Sequence, residues 1–87
     1  MPWRVREIQA TPNPNAAKFM LDQPVSERPT SFFSAHAAKS HPLAAQLFAI
    51  EGVSGLLLLG DFLTINKRPD ADWREITPRV EAVLAAN

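Results

Sequence analysis

The sequence contains no cysteine at any of its 87 positions. Thiolates form disulfides, act as nucleophiles, and bind zinc ions and iron–sulfur clusters in proteins. Each of these uses is therefore excluded for the side chains of this chain. We predict that it holds no metal through sulfur and binds no cofactor directly.

Glycine is scarce as well, with three residues in the chain. Phosphate-binding loops need glycines between a strand and a helix, whereas Gly52 and Gly55 follow a predicted helix. The two histidines, His36 and His41, have no nucleophile or paired acid at a spacing typical of hydrolases. No catalytic residue is predicted, and we expect a protein that is not an enzyme.

The chain also lacks an excess of charge and a long apolar segment. Nine basic side chains balance nine acidic ones, so nucleic-acid binding would need a local patch. The candidates Arg4, Arg6 and Lys18 fall on predicted strands, where charged side chains usually face solvent. The apolar run 56–59 is too short to cross a bilayer, and the first residues do not resemble a signal peptide. We predict a cytoplasmic protein that binds neither nucleic acid nor membrane.

The length allows one hydrophobic core, so residues 1–87 are predicted to form a single domain. Its hydrophobic fraction of 46% and charged fraction of 21% are those of an ordinary globular protein. Such a composition lies outside the range of disordered chains. The chain is therefore expected to fold unaided, and the sequence does not decide its oligomeric state.

Alternating apolar and polar residues predict two β-hairpins. Residues 3–10 and 16–21 form the first, around a turn at 11–15 that two prolines stiffen. Trp3 and Val5 are out of phase with Ile8 and Ala10, which a bulge or an early strand end would reconcile.

The second predicted hairpin joins residues 53–59 to residues 62–67 through Gly60-Asp61, a two-residue turn with glycine first. Because residues 53–59 are almost continuously apolar, that strand is predicted to be covered on both faces or to be central. Residues 22–30 contain two prolines and are predicted to be an exposed loop. The structure of residues 31–40 is left open, except that Phe32 or Phe33 is expected to anchor this segment to the core.

Apolar residues at helical spacing predict a first helix over residues 43–50, with Ser40 as N-cap and Pro42 in the first turn. The last helix begins at residues 72–75, an acidic variant of the capping box. Pro78 either kinks this helix or restarts it with Thr77 as N-cap.

These elements predict a two-layer α+β fold in the order ββαββα, a four-stranded antiparallel sheet with two helices on one face. The predicted core residues are Phe19, Leu47, Phe48, Ile65, Trp73 and Val80.

Both hairpins combine rigid backbone with polar side chains that a fold alone would not demand. They suggest a surface for a protein partner, and the alternative that each is only a structural hairpin stands equally. The predicted partner-binding residues are Asn13, Asn15, Lys18, Asp61, Thr64 and Lys67.

Several short segments resemble the N-terminal domain of the Nfu/NifU-like scaffold proteins of iron–sulfur cluster biogenesis. They are Thr-Pro-Asn-Pro at 11–14, Lys18-Phe19, Pro42-Leu43-Ala44 with Leu47-Phe48 and Ile50, Gly52-Val53, residues 61–65 with Lys67, and Trp73 with Pro78. The resemblance implies an α+β accessory domain, which in full-length members precedes a cluster-holding domain with a Cys-x-x-Cys pair. It implies help in cluster assembly or delivery through contacts with an iron–sulfur carrier or a client apoprotein.

Three other functions remain open from the sequence. The first is a weak iron site with oxygen and nitrogen ligands, such as Asp22, Asp61, His36 and His41. The second is a generic protein-interaction adaptor. The third is a small acyl-phosphate hydrolase, although the arginine-bearing phosphate loop of that family is missing here.

Overall fold

The computed structural model describes residues 2–87, which form five strands and three helices. In chain order these are β1 Val5–Ala10, β2 Ala16–Leu21, β3 Ser26–Phe32, α1 Ala35–Ala38, α2 Pro42–Phe48, β4 Val53–Gly60, β5 Phe62–Lys67 and α3 Trp73–Ala86. The strands make one antiparallel sheet in the order β1-β2-β5-β4-β3. The predicted α+β class is confirmed. The predicted four strands and the order ββαββα are wrong, because β3 and α1 lie between the two hairpins.

β3 begins inside the segment that the sequence predicts as a loop. Ser26 pairs with Gly60, and pairing with β4 becomes regular again at Thr30 after an irregularity that contains Pro29. A proline fits there because a strand at the edge of a sheet can do without one backbone donor. The polar residues and the proline of β3 are typical of a loop, so the sequence does not predict this strand.

β1 contains a bulge, one of the two alternatives that the sequence leaves open. Val5 pairs with Leu21 and Glu7 pairs with Met20, so two steps along β1 match one step along β2. This extra residue puts Val5 and Ile8 on the same face of the sheet. The different phases of the two halves of this strand are thereby explained.

The predicted two-residue turn at Gly60-Asp61 is confirmed, since Leu59 pairs with Phe62 across it. Gly60 has a φ of 56°, and no residue other than glycine has a positive φ among residues 2–87. A positive φ at the first turn position alone is the pattern of a type II′ hairpin.

The three helices share one hydrophobic core with a single face of the sheet. The largest fully buried side chains are Phe19, Leu21, Leu47, Leu58, Leu63, Ile65, Ile76, Val80 and Leu84. Four of the six predicted core residues are in this set, while Phe48 and Trp73 pack against the cluster and are partly buried. Phe32 also packs against the core, whereas Phe33 is 77% exposed. The predicted anchoring of residues 31–40 by one phenylalanine is confirmed.

α2 begins at Pro42 and its N-cap is His41, so the prediction of Ser40 is wrong. The Nδ1 atom of His41 accepts a hydrogen bond from the Ala44 N–H at 3.2 Å. Neutral imidazole has one acceptor nitrogen, which lets it act like the oxygen of a capping serine.

α3 is one continuous helix from Trp73 to Ala86 with Pro78 inside it, so of the two alternatives at Pro78 the restart with Thr77 as N-cap is wrong. The Asp72 carboxylate caps it by accepting a hydrogen bond from the Arg74 N–H at 2.8 Å. Hydrogen bonds from the side chain and backbone of Arg74 hold the pKa of Asp72 below its ordinary value. In the part of the chain that is described, no helix is long and apolar enough to cross a bilayer.

Candidate functional site

The face of the sheet opposite the helices carries the candidate site. Lys18 in β2 pairs with Thr64 in β5, and Thr64 pairs in turn with Leu57 in β4. Residues directly opposite each other in an antiparallel sheet point to the same face. Lys18, Thr64 and Leu57 therefore form one row across the sheet, which places two of the predicted partner-binding residues side by side.

A second row beside it is apolar. Met20, Phe62 and Leu59 pair across the same three strands, and each of them is half-buried. The Nζ atom of Lys18 lies 4.2 Å from the centroid of the Phe62 ring, a cation–π contact that joins the two rows. We call the six residues of these rows the open face; they are Lys18, Met20, Leu57, Leu59, Phe62 and Thr64.

A shallow hollow of about 220 Å³ lies beside the open face. Leu57 and Thr64 line it together with Ser31, Asn66 and the exposed Phe33. Large apolar side chains on an exposed sheet face are a common feature of surfaces that bind other proteins. The hollow can therefore take an apolar side chain of another protein. Lys18 on the open face can pair with an acidic group of the same protein at the same time.

Asn13, Asn15 and Lys67 lie at the other end of the sheet. Their side chains make contacts with other residues of this chain. The Asn13 Oδ1 atom accepts a hydrogen bond from the Asn15 N–H at 2.9 Å. The Lys67 Nζ atom donates to the Asn15 Oδ1 atom at 3.0 Å and lies 5.9 Å from the centroid of the Trp73 ring. These contacts hold the turn at 11–15 against β5 and α3. Partner binding by these three residues stays a prediction.

Asp61 lies in the β4–β5 turn, at the opposite end of β5 from Lys67. Its carbonyl accepts a hydrogen bond from the Leu21 N–H at 2.7 Å. A six-residue strand spans about 20 Å, so Asp61 and Lys67 cannot contact the same small ligand. The six predicted residues thus divide into the pair Lys18 and Thr64, the group at the 11–15 turn, and Asp61 alone.

Trp73→Phe tests the role of the turn contacts. The Trp73 Nε1–H donates to the Pro14 carbonyl at 3.0 Å, and phenylalanine keeps an aromatic ring but lacks this donor. We expect the free energy of unfolding to fall by about 1 kcal/mol, measured by urea denaturation followed by circular dichroism. NMR shifts should be largest at residues 11–15.

Trp3→Phe is the matched control for that variant. It removes a similar hydrogen bond, from the Trp3 Nε1–H to the Pro24 carbonyl at 3.1 Å, at a different place in the fold. Amide resonances of residues 11–15 should not move in this variant. Equal shifts in both variants would show that Trp73 does not hold the turn.

Groups able to hold a metal ion do not gather in the part of the chain that is described. Residues 2–87 contain no cluster of three or more histidine, aspartate or glutamate side chains suited to a metal. His41 serves as the cap of α2, while Asp61 lies in the β4–β5 turn.

The predicted site omits the apolar half of the open face. The run 53–59 suggests a strand that is central or covered on both faces, and β4 does lie inside the sheet. Leu56 and Leu58 are buried, but Leu57 and Leu59 are half-buried on the other side. In a two-layer fold one face of every strand lacks a helix, so the alternate leucines of this run are the signal that could have revealed this surface.

The sequence matches a known family over nearly its whole length. Residues 5–87 fit the profile described as "Scaffold protein Nfu/NifU N terminal". Over 80 residues the chain is 41% identical to the human protein named "NFU1 iron-sulfur cluster scaffold homolog, mitochondrial". It is 39% identical to the protein of the same name from Drosophila simulans. These alignments cover 90% of this chain but 32% and 28% of the relatives, so it spans about a third of their length.

The fold is similar to solved structures. A NifU-like protein from Saccharomyces cerevisiae, solved by NMR, matches with a TM-score of 0.82 and 28% identity, over 95% of this chain and 77% of that one. The crystal structure of a Staphylococcus aureus protein matches with a TM-score of 0.78 and 26% identity, over 92% and 96% of the two chains. The names of the curated relatives place those proteins in mitochondria, so the cytoplasmic location of this chain stays a prediction.

Proposed function

This chain belongs to the Nfu/NifU N-terminal scaffold family, and from that premise we propose that it is a non-enzymatic binding module in iron–sulfur cluster biogenesis. It docks a second protein, either a cluster carrier or a client apoprotein, and assists assembly or delivery of the cluster. The cluster is cargo held by that partner. Thiolates are the usual ligands of such clusters and this chain has no cysteine, so in this proposal the partner supplies the ligands.

The open face is the observation that supports docking of a partner. Its apolar row of Met20, Leu59 and Phe62 is partly exposed to water, and a partner that covers it removes that exposed apolar surface from water. Lys18 stands over this row and favours a partner with a carboxylate at the matching position. An apolar centre with a charge beside it is the usual composition of a transient protein interface.

Lys18→Glu tests this proposal. The variant should lose at least about tenfold in affinity for the partner, because a reversed charge repels the partner carboxylate. The purified chain is immobilised and exposed to lysate of its own cell, and captured proteins are identified by mass spectrometry. Affinity is then measured by calorimetry with the captured protein in its cluster-loaded and empty forms.

Lys39→Glu is the matched control, since Lys39 is an exposed lysine at the end of α1, in the helical layer. It should bind as the unaltered chain does. The proposal requires that cluster carriers or apo iron–sulfur proteins are captured and that Lys18→Glu alone releases them. Capture of proteins unrelated to clusters, or equal binding by both variants, would contradict it.

A further inference from the structure

The two edges of the sheet differ in how well they could accept another strand. β3 forms one edge, where Pro29 lacks a donor and the Ser26 and Thr30 hydroxyls both bind the Arg28 carbonyl, at 2.7 and 3.0 Å. β1 forms the other edge, and its residues 7–10 pair with β2 without interruption. Alternate residues of such an edge turn N–H and C=O groups away from the sheet. β1 is therefore the edge that can pair with another extended chain.

The helix layer stops short of β1. Ile8 pairs with Phe19, which is fully buried under the helices, so both side chains point toward that layer. Ile8 is nevertheless 43% exposed. A cavity of about 340 Å³ opens there between β1 and α3, and Ile8, Ala10, Trp73 and Thr77 are part of its lining.

A second cavity of about 550 Å³ lies between β1 and the end of α3. Val5 lines it from β1, and Glu81 and Ala85 line it from α3. Residues four apart lie on one side of a helix, so positions 73, 77, 81 and 85 form a single stripe that faces β1. The two cavities share no lining residue and follow one another along this edge of the sheet; we call them together the β1–α3 groove.

The charged side chains that line the second cavity have a net negative charge. Asp22 and Glu81 line it with Arg4, which gives two carboxylates to one guanidinium. The ion pairs found among residues 2–87 are Arg68–Asp70 and Arg74–Asp72. The Glu81 carboxylate is thus available to a basic group from outside.

We propose that the β1–α3 groove binds an extended peptide segment of a partner protein as a sixth strand beside β1. The peptide backbone pairs with the free edge, an apolar side chain enters the cavity at Ile8 and Thr77, and a basic side chain meets Glu81. Such strand addition takes affinity from backbone hydrogen bonds and specificity from pockets for alternate side chains.

The spacing of the groove fixes the spacing of the peptide side chains. Thr77 and Glu81 are four residues apart, which is about 6 Å along a helix. Two residues of a strand cover about 7 Å, and side chains two apart point to the same face. The peptide motif is therefore an apolar and a basic residue separated by one other.

The test peptide is Thr-Ser-Lys-Thr-Leu-Thr-Lys-Ser-Thr with both ends blocked. It offers the motif in either chain direction. Titration into the labelled chain should give saturable NMR shifts at residues 7–10 and 77–85, with the open face unchanged. This surface is separate from the open face, so the result does not depend on whether a cluster protein binds there.

Two methylated versions of the peptide test the strand pairing. Each carries N-methyl groups on one of the two alternating sets of peptide nitrogens and keeps all side chains. An added strand uses one set for the ladder and turns the other to solvent. One version should lose at least about tenfold in affinity and the other should bind like the parent. Equal binding by both versions, or no saturable binding of the parent, would overturn the proposal.

Glu81→Gln tests the basic anchor. It should weaken binding of the peptide by about threefold to tenfold and reduce its dependence on salt. Glu75→Gln is the matched control, because Glu75 is an exposed glutamate of the same helix that lines a different cavity. The control should bind as the unaltered chain does. Equal affinity of all three proteins would show that Glu81 does not meet the peptide.

Discussion

Phe19→Ala is expected to lower the free energy of unfolding by about 3 to 5 kcal/mol. Phe19 is fully buried in β2, and its ring lies 6.4 Å from that of Trp73. Alanine at this position leaves a cavity between the sheet and α3 that neighbouring side chains fill only in part. A domain of this size is stable by about 5 to 10 kcal/mol, so the variant should be close to unfolded. Urea denaturation followed by tryptophan fluorescence measures the loss.

Met20→Ala is the matched control, because the next residue along β2 points to the open face. Met20 is half-buried, and its truncation should change the free energy of unfolding by about 1 kcal/mol or less. The difference between neighbouring positions is the direct consequence of a two-layer fold. A loss of similar size in both variants would mean that both faces of the sheet are covered.

Gly52→Ala is the second substitution with a large expected effect, a loss of about 2 to 5 kcal/mol. Gly52 has a φ of 97°, a backbone conformation that residues other than glycine rarely adopt. An added Cβ would lie 2.7 Å from the Ala71 Cβ and 3.2 Å from the Ile76 Cδ1. Backbone strain and steric overlap therefore act together, and the start of α3 must move. Thermal and urea denaturation should both report the change.

Gly60→Ala separates the two causes. Gly60 also has a positive φ, of 56°, but a Cβ built there meets no atom within 4 Å. Its expected cost is the backbone strain alone, about 1 to 2 kcal/mol. If the two variants were equally stable, the contact of Gly52 with Ala71 and Ile76 would have no part in the effect.

Much of the fold follows from local pattern. Strict alternation in β2 and β5 and the apolar stripe of α3 gave their faces and approximate bounds. The phase change between Val5 and Ile8 indicates a bulge or an early strand end, and the structure contains the bulge. These elements were predictable because their side chains meet one continuous core, so their burial repeats with the period of the backbone.

β3 and the start of α2 could not be predicted in the same way. β3 is an edge strand whose residues are mostly exposed, so its sequence carries no alternation, and its pairing depends on β4 far along the chain. His41 caps α2 through a ring nitrogen, whereas Ser40 has the more common capping side chain. Contacts with distant parts of the chain therefore determine both the formation of β3 and the first residue of α2.

Part of the open face can be predicted from the sequence. Polar residues in rigid hairpins predict a surface that includes Lys18 and Thr64, and these two residues lie together on the open face; partner binding by them stays a proposal. The same criterion selected Asn15 and Lys67, which bind each other and stiffen a turn. From sequence alone, a polar side chain needed by the fold looks the same as one that meets a partner. The apolar residues of the open face are not among the predicted partner-binding residues, because leucine in a strand suggests burial.

The irregular pairing of β3 also limits how copies of this protein can associate. Sheets grow into long fibrils when each molecule offers a pairable strand on both sides. Here Pro29 and the short regular stretch after it prevent the β3 edge from pairing with a strand of another molecule. Two copies that met through β1 would each leave only a β3 edge outward, so polymerisation through backbone pairing would stop at two molecules.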